Sequence, residues 1–186
     1  TRSRGLGDVY KRQGDLDMIY YVLRDNILLA KSQFKDAIKM MQAFEYWFGP
    51  YPFYEDSFKI VEVPYLGMEH QSSITYGNKY MKGYLGRDLS RTGWGLKFDY
   101  IIIHEAGHEW FANNITYKDI ADMWIHESFT TYSENLYLDY HYGKEAASEY
   151  VIGTRSGIAN RSPIIGKYGV NFRGSDLYSK GANILH

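Results

Sequence analysis

The chain of 186 residues predicts an α+β fold, one small sheet with helices packed behind it. Three observations carry this. Residues 58–63 and 71–76 are short runs rich in β-branched and aromatic side chains that sit close together. Longer stretches with apolar residues at helical spacing lie on both sides of them. A hydrophobic content of 45% at this length supplies one core, too little for two comfortable domains.

Taken in order, residues 1–13 (TRSRGLGDVYKRQ) resemble adapter-derived sequence more than a domain element, so the folded domain is expected over 14–186. Residues 27–48 place Phe34, Ala37, Ile38, Met41, Phe44 and Phe48 on one helical stripe, ended by Gly49-Pro50. The two strands follow, flanking Glu69 and leaving it at a strand end. Residues 77–95 hold five glycines and little periodicity, which reads as a loop. A helix is expected over 98–113, opened by the apolar run FDYIII and stopped at Asn113-Asn114. After a connection through 119–122, a helix over 123–142 closes at Gly143, and another spans 144–158. An extended stretch at 163–170 precedes Ser175-Asp176, which reads as the start of a last helix carrying Tyr178. Residues 182–186 begin a helical pattern without a stop signal, so the domain is expected to be truncated at both ends.

Net charge is −1 with both signs interspersed, which gives no support to a nucleic-acid partner or an anionic membrane surface. No apolar run approaches the roughly 18 residues that cross a bilayer. The nineteen tyrosines raise the aromatic share to 17% and read mostly as amphipathic packing residues. The chain has no cysteine, which fits either side of a membrane.

The chemistry lies in His104-Glu105-Ala106-Gly107-His108, followed after eighteen residues by Glu127. Histidines four apart on a helix differ by about 40° around its axis, so both imidazoles can share one metal ion. Glu127, on the next helix, supplies a third ligand and leaves a fourth tetrahedral position for water, the mark of a catalytic zinc site. Glu105 then stands beside that water as a general base. A pair of hydrogen-bonded core histidines is the competing reading, and the placement of both glutamates disfavours it. Glu134, seven residues after Glu127, shares its helix face and reads either as a support for the site or as a surface carboxylate. His126 lies about 100° around the helix from Glu127, away from the same metal.

The stretches HEAGHEWFANNIT and MWIHESFTTY resemble the gluzincin aminopeptidases, the family of aminopeptidase N and the leukotriene hydrolase. Leu66-Gly67-Met68-Glu69-His70 falls where that family has its G-x-M-E-N strand, and Tyr178-Ser179-Lys180-Gly181-Ala182 where it has Y-x-K-G-A. The resemblance, not periodicity, implies a thermolysin-like zinc metallopeptidase catalytic domain. It implies one Zn2+ per chain on His104, His108 and Glu127, with Glu105 as general base. It further implies Glu69 as the anchor of a free α-amino group, substrate contacts along Gly67 and Met68, and Tyr178 as oxyanion donor. The expected substrates are peptides with a free N-terminus. Members of that family also carry an N-terminal β domain and a C-terminal helical domain, both expected outside this chain. The pattern departs at Leu66, His70, Ala112 and His126, of which His70 reads either as a pocket residue or, in preference, as a residue on a solvated edge. Two further readings are an epoxide-hydrolase side activity, which no residue here specifically supports, and a zinc-binding fragment or interaction domain that is catalytically silent.

Overall fold

The computed structural model describes residues 3–11 and 15–186. Its mixed sheet holds β1 (Ser3–Lys11), β2 (Asp15–Leu23), β3 (Phe58–Glu62), β4 (Gly67–Met68) and β5 (Ser73–Tyr76), in the spatial order β1-β2-β3-β5-β4. β2, β3 and β5 run parallel, with Met18 opposite Phe58 and Ile60 opposite Ile74. β1 and β4 form the edges, each antiparallel to its neighbour. β1 falls in the segment 1–13 that the sequence sets apart, the remainder of which lies outside the described residues. The sequence reading assigns no element before residue 27. β2 nevertheless alternates strictly, with Leu16, Met18, Tyr20 and Val22 buried between exposed Asp17, Tyr21 and Leu23.

The helices are α1 (Ile27–Gln33), α2 (Lys35–Phe48), α3 (Tyr100–Gly107), α4 (Trp124–Tyr142), α5 (Lys144–Gly153) and α6 (Ser179–Leu185). The helix expected over 27–48 divides at Phe34 (φ −75°, ψ 0°). The Phe34 ring sits edge-on against Tyr20 and Tyr76, at centroid distances of 5.1 and 5.0 Å, and this anchorage in the core interrupts the helix. α2 buries Ala37, Met40, Met41 and Phe44 and packs on α3 and α4.

α3 starts two residues later than expected. Asp99 caps it, accepting from the Ile101 and Ile102 amides at 3.1 and 3.3 Å, while Phe98 remains outside the helix and packs on Tyr137 and Tyr150. Nor does α3 continue to Asn113. It passes into a π-turn over Glu109–Asn114, in which the Asn113 amide donates to the His108 carbonyl (3.0 Å) and Phe111 leaves helical dihedral angles. Trp110 is the reason on the core side, because its ring fills a nest of Phe44, Phe48 and Tyr51.

α4 forms over the expected span and ends at Gly143, whose φ is +90°. It is the central helix, touching α2, α3, α5 and α6. α5 is shorter than expected, because Thr154–Gly157 tightens into a 3-10 turn. Among the described residues no helix is long and apolar enough to cross a membrane.

Candidate metal centre

α3 and α4 cross where His104 and His108 face Glu127. The imidazole rings stand perpendicular at a centroid distance of 5.0 Å. Their Nε2 atoms lie 3.6 and 3.5 Å from the same oxygen, Glu127 Oε2. The two Nδ1 atoms are engaged elsewhere. His104 Nδ1 donates to Glu134 Oε1 (2.8 Å), and His108 Nδ1 sits 3.2 Å from the Phe111 carbonyl and 3.0 Å from Thr130 Oγ1. In a neutral imidazole that donates from Nδ1, Nε2 keeps a free lone pair, the form in which it can bind a metal ion.

Glu127 Oε2 is buried and has no hydrogen-bond partner. A charged oxygen in that position is costly unless a cation meets it. Ligand atoms about 2.0–2.2 Å from a tetrahedral zinc ion are separated from one another by about 3.3–3.6 Å, a range that includes both Nε2–Oε2 separations here. The three ligand atoms lie within 4.8 Å of one another, so this group can hold a metal ion.

The charges around it favour a cation. Burial works against ionising Glu127, but the His104 and His108 imidazoles hold its carboxyl well below the usual range. Burial likewise opposes a charge on His104, and Glu127 and Glu134 overcome it and raise the imidazole well above its ordinary value. Glu105 is raised, chiefly by burial, with Glu69 and Glu127 adding to the shift and the two histidines opposing it. Burial and the neighbouring Glu127 also raise the Tyr178 hydroxyl, which keeps it a proton donor at neutral pH.

The other residues singled out in the sequence gather round the same opening. Glu69 follows β4, half-buried, with its carboxylate within 4.8 Å of ligand atoms of Glu105 and His108. Gly67 lets β4 lie close on α3, since a Cβ there would meet Ile101 Cγ2 at 2.7 Å and Glu105 Oε1 at 3.2 Å. The Met68 side chain is exposed, and its carbonyl accepts from Thr75 Oγ1 (3.4 Å). Tyr178 stands at the N-terminus of α6, its ring 6.0 Å from that of His104. Ser175-Asp176 does not start this helix. The Asp176 carboxylate instead accepts from the Ala159 and Asn160 amides, tying down the preceding loop. His126 binds Thr116 and the Tyr117 amide, away from the three ligand atoms, and His70 is exposed.

Glu134 is a supporting residue, not a surface carboxylate: it is 1% exposed and also accepts from the Tyr150 hydroxyl at 2.5 Å. Sequence reasoning missed Thr130, Tyr100 and Tyr150. Thr130 had a signal, since residues 127, 130 and 134 form one stripe of α4. Tyr100, stacked on His104 with ring centroids 5.1 Å apart, stands four residues before it on the same helix. Tyr150 comes from α5 and had none. Leu66, Tyr84, Tyr100, Thr131 and Tyr150 help line a cavity of about 350 Å³ that opens beside His104 and Glu105.

This chain is similar to solved structures of an M1 zinc metallopeptidase from Deinococcus radiodurans. One has a TM-score of 0.70 at 20% identity, over 100% of this chain and 39% of that one. Another, a variant bound to a Tyr-Ser-Ala substrate, has a TM-score of 0.65 at 20% identity, over 100% of this chain and 40% of that one. These likenesses establish the fold as that of an M1 metallopeptidase, a small mixed sheet with helices. Curated relatives include the tricorn protease-interacting factor F2 of Thermoplasma acidophilum, 28% identical over 63% of this chain and 15% of the relative. Endoplasmic reticulum aminopeptidase 1 of Mus musculus is 25% identical over 89% of this chain and 19% of the relative. The chain thus spans less than a fifth of the length of these relatives. The family model described as the peptidase family M1 domain matches residues 32–165, and with the helix-borne His104, Glu105, His108 and Glu127 inside that match, the chain belongs to peptidase family M1.

Proposed function

We propose that this domain is the catalytic part of a zinc aminopeptidase, which removes N-terminal residues from peptides. One observation carries the proposal: two histidine Nε2 atoms converge on an unpartnered, buried glutamate oxygen, with a second and third carboxylate, Glu105 and Glu69, beside them. His104, His108 and Glu127 would hold the zinc ion. When bound, zinc polarises a scissile carbonyl and lowers the pKa of water from about 15.7 to about 7.

The remaining work falls to this chain's own residues. Glu105, raised by burial, accepts the proton of the attacking water and passes it to the leaving amine. Tyr178 donates a hydrogen bond to the oxygen that gains charge in the transition state, a contribution of about 3 kcal/mol for a well-aimed donor. Glu69 receives the substrate ammonium and thereby sets the cut after the first residue. β4 is an edge strand, so Gly67 and Met68 offer backbone groups to an extended substrate. The cavity beside His104 accommodates a substrate side chain.

Hydrolysis of amino-acid anilides, with and without a chelator and with zinc restored, tests this reading. Release from free-amine substrates but not from their N-acetylated forms, lost with chelator and regained with zinc, is expected. Equal cleavage of both forms refutes the amine anchor, and turnover indifferent to chelator refutes the metal role.

A further inference from the structure

The π-turn after α3 does more than end a helix. Two of its side chains reach the segment that carries Glu69. Asn113 Nδ2 donates to the Glu69 carbonyl (2.9 Å). Three residues further on, Glu109 Oε1 accepts from the Ser72 amide (2.8 Å). Glu109 is fully buried, and its other oxygen takes the Tyr51 hydroxyl at 3.1 Å. Between these two fastenings the Ser73 amide donates to the His70 carbonyl (2.9 Å), closing a turn in which Ser72 has a φ of +56°. A residue with a side chain holds that left-handed conformation only where its surroundings fix it, and the Glu109 acceptor on the Ser72 amide does so.

The same turn is bonded back to the metal helix, since the Asn113 amide donates to the carbonyl of His108. Glu69 is therefore fastened to a backbone continuous with a proposed zinc ligand, through few intervening bonds. In a substrate one residue separates the free ammonium from the carbonyl to be cut, so a shift of about 1 Å in the Glu69 carboxylate spoils that fit.

We propose that Asn113 and Glu109 are positioning residues that fix Glu69 relative to the metal centre, and so set the one-residue register of cleavage. The inference rests on the reading of Glu69 as the ammonium anchor. Both are assigned to act through Glu69 and not on the substrate itself.

A double-mutant cycle on the zinc-loaded protein tests it, using E69A, N113D and the pair. N113D places an acceptor against the Glu69 carbonyl at nearly unchanged volume. N113A, which removes the donor without adding charge, carries the same test should N113D fail to fold. Three quantities are read: KM and kcat for a free-amine aminoacyl anilide, bound zinc, and affinity of the metal-free protein for an amino-acid amide by calorimetry. In the Glu69 background N113D should raise KM and weaken amide binding roughly tenfold, with kcat changed less and zinc retained. In the E69A background it should add nothing. An equal effect in both backgrounds shows that Asn113 acts through the fold and overturns the inference. If E69A raises KM and N113D does not, the positioning role alone is refuted. If E69A leaves KM unchanged, the anchor itself is lost and this inference falls with it.

Discussion

Replacing Gly181 by alanine puts a methyl group where α6 lies on α4. A Cβ built there comes 1.9 Å from Ser128 Oγ, 2.4 Å from Ser128 Cβ and 3.3 Å from Ser128 Cα. The hydroxyl can rotate away, but the two carbons belong to the body of α4 and cannot. Carbon atoms in ordinary contact are about 3.5–4.0 Å apart, so α6 has to retreat by about 1 Å. Tyr178, three residues upstream at the helix N-terminus, moves with it, and the bond from Ser128 Oγ to the Leu177 carbonyl (2.7 Å) breaks. A displacement of that size in a transition-state donor costs about a hundredfold in rate, or about 2.7 kcal/mol. The proposed metal ligands sit on α3, at its C-cap and on the first turn of α4, so zinc should remain bound. The assay is kcat on a free-amine anilide alongside metal analysis, for G181A, S128G and the double variant. S128G removes both close atoms, and S128G/G181A should recover most of the lost rate. A G181A protein with undiminished kcat would show that the α6–α4 contact does not register Tyr178, and failure of S128G to rescue would place the loss elsewhere.

E105Q should keep its metal and lose turnover by about a thousandfold, read by metal analysis and single-turnover kinetics; substantial remaining activity removes Glu105 as the base. E134Q withdraws the charged acceptor from His104 Nδ1 and should weaken zinc binding about 10- to 100-fold in competition with a chromophoric chelator. An unchanged affinity would reduce Glu134 to a packing residue. Burial pushes Glu109 up to about 7 from 4.5, so the folded state binds its proton more tightly than the unfolded state does. The stabilisation is complete below about pH 4.5 and is lost as pH rises through about 7. Melting temperatures of the metal-free protein should show that decline and E109Q should flatten it; a wild-type slope retained in E109Q assigns it to other groups.

The cluster of His104, His108 and Glu127, the proposed metal ligands, was legible because its relations are local. The spacing of His104 and His108 is a property of one helix, and Glu127 needs only the next helix to return alongside. The proposed roles of Glu69 and Tyr178 rest on motif resemblance, since nothing in their own neighbourhoods announces a role. The strand β2 was less legible, because its exposed face carries Tyr21 and Leu23 beside Asp17, so burial alternates along it more sharply than hydropathy does. The break at Phe34 and the π-turn were not legible. Each results from an aromatic side chain, Phe34 or Trp110, seated in a nest supplied by distant elements, and tertiary packing of that kind overrides helical periodicity. Tyr150 and Glu109 stayed hidden for the same reason, their partners lying 16 and 37 residues away in sequence.

These hidden contacts hold the proposed ligand cluster steady on so short a helix. At its start Asp99 accepts five hydrogen bonds: from Gln33 Nε2, the Tyr76 hydroxyl, Asn78 Nδ2 and the amides of Ile101 and Ile102. Burial pushes its carboxyl up to about 6, yet all five groups bonded to the carboxyl oxygens are donors, so the ionised form is the one this arrangement satisfies at neutral pH. A full carboxylate at a helix N-terminus is also favoured by the helix dipole. Through Asp99, α1, β5 and the loop after it are tied to the first turn of α3. At its other end Glu109 and Asn113 tie the π-turn to the segment after β4. His104 and His108 therefore lie between two fastened ends, and both fastenings include the β4–β5 region of the sheet, where Glu69 stands. Fixing the proposed anchor and the proposed ligands to one frame would supply the sub-ångström register that exopeptidase cleavage demands.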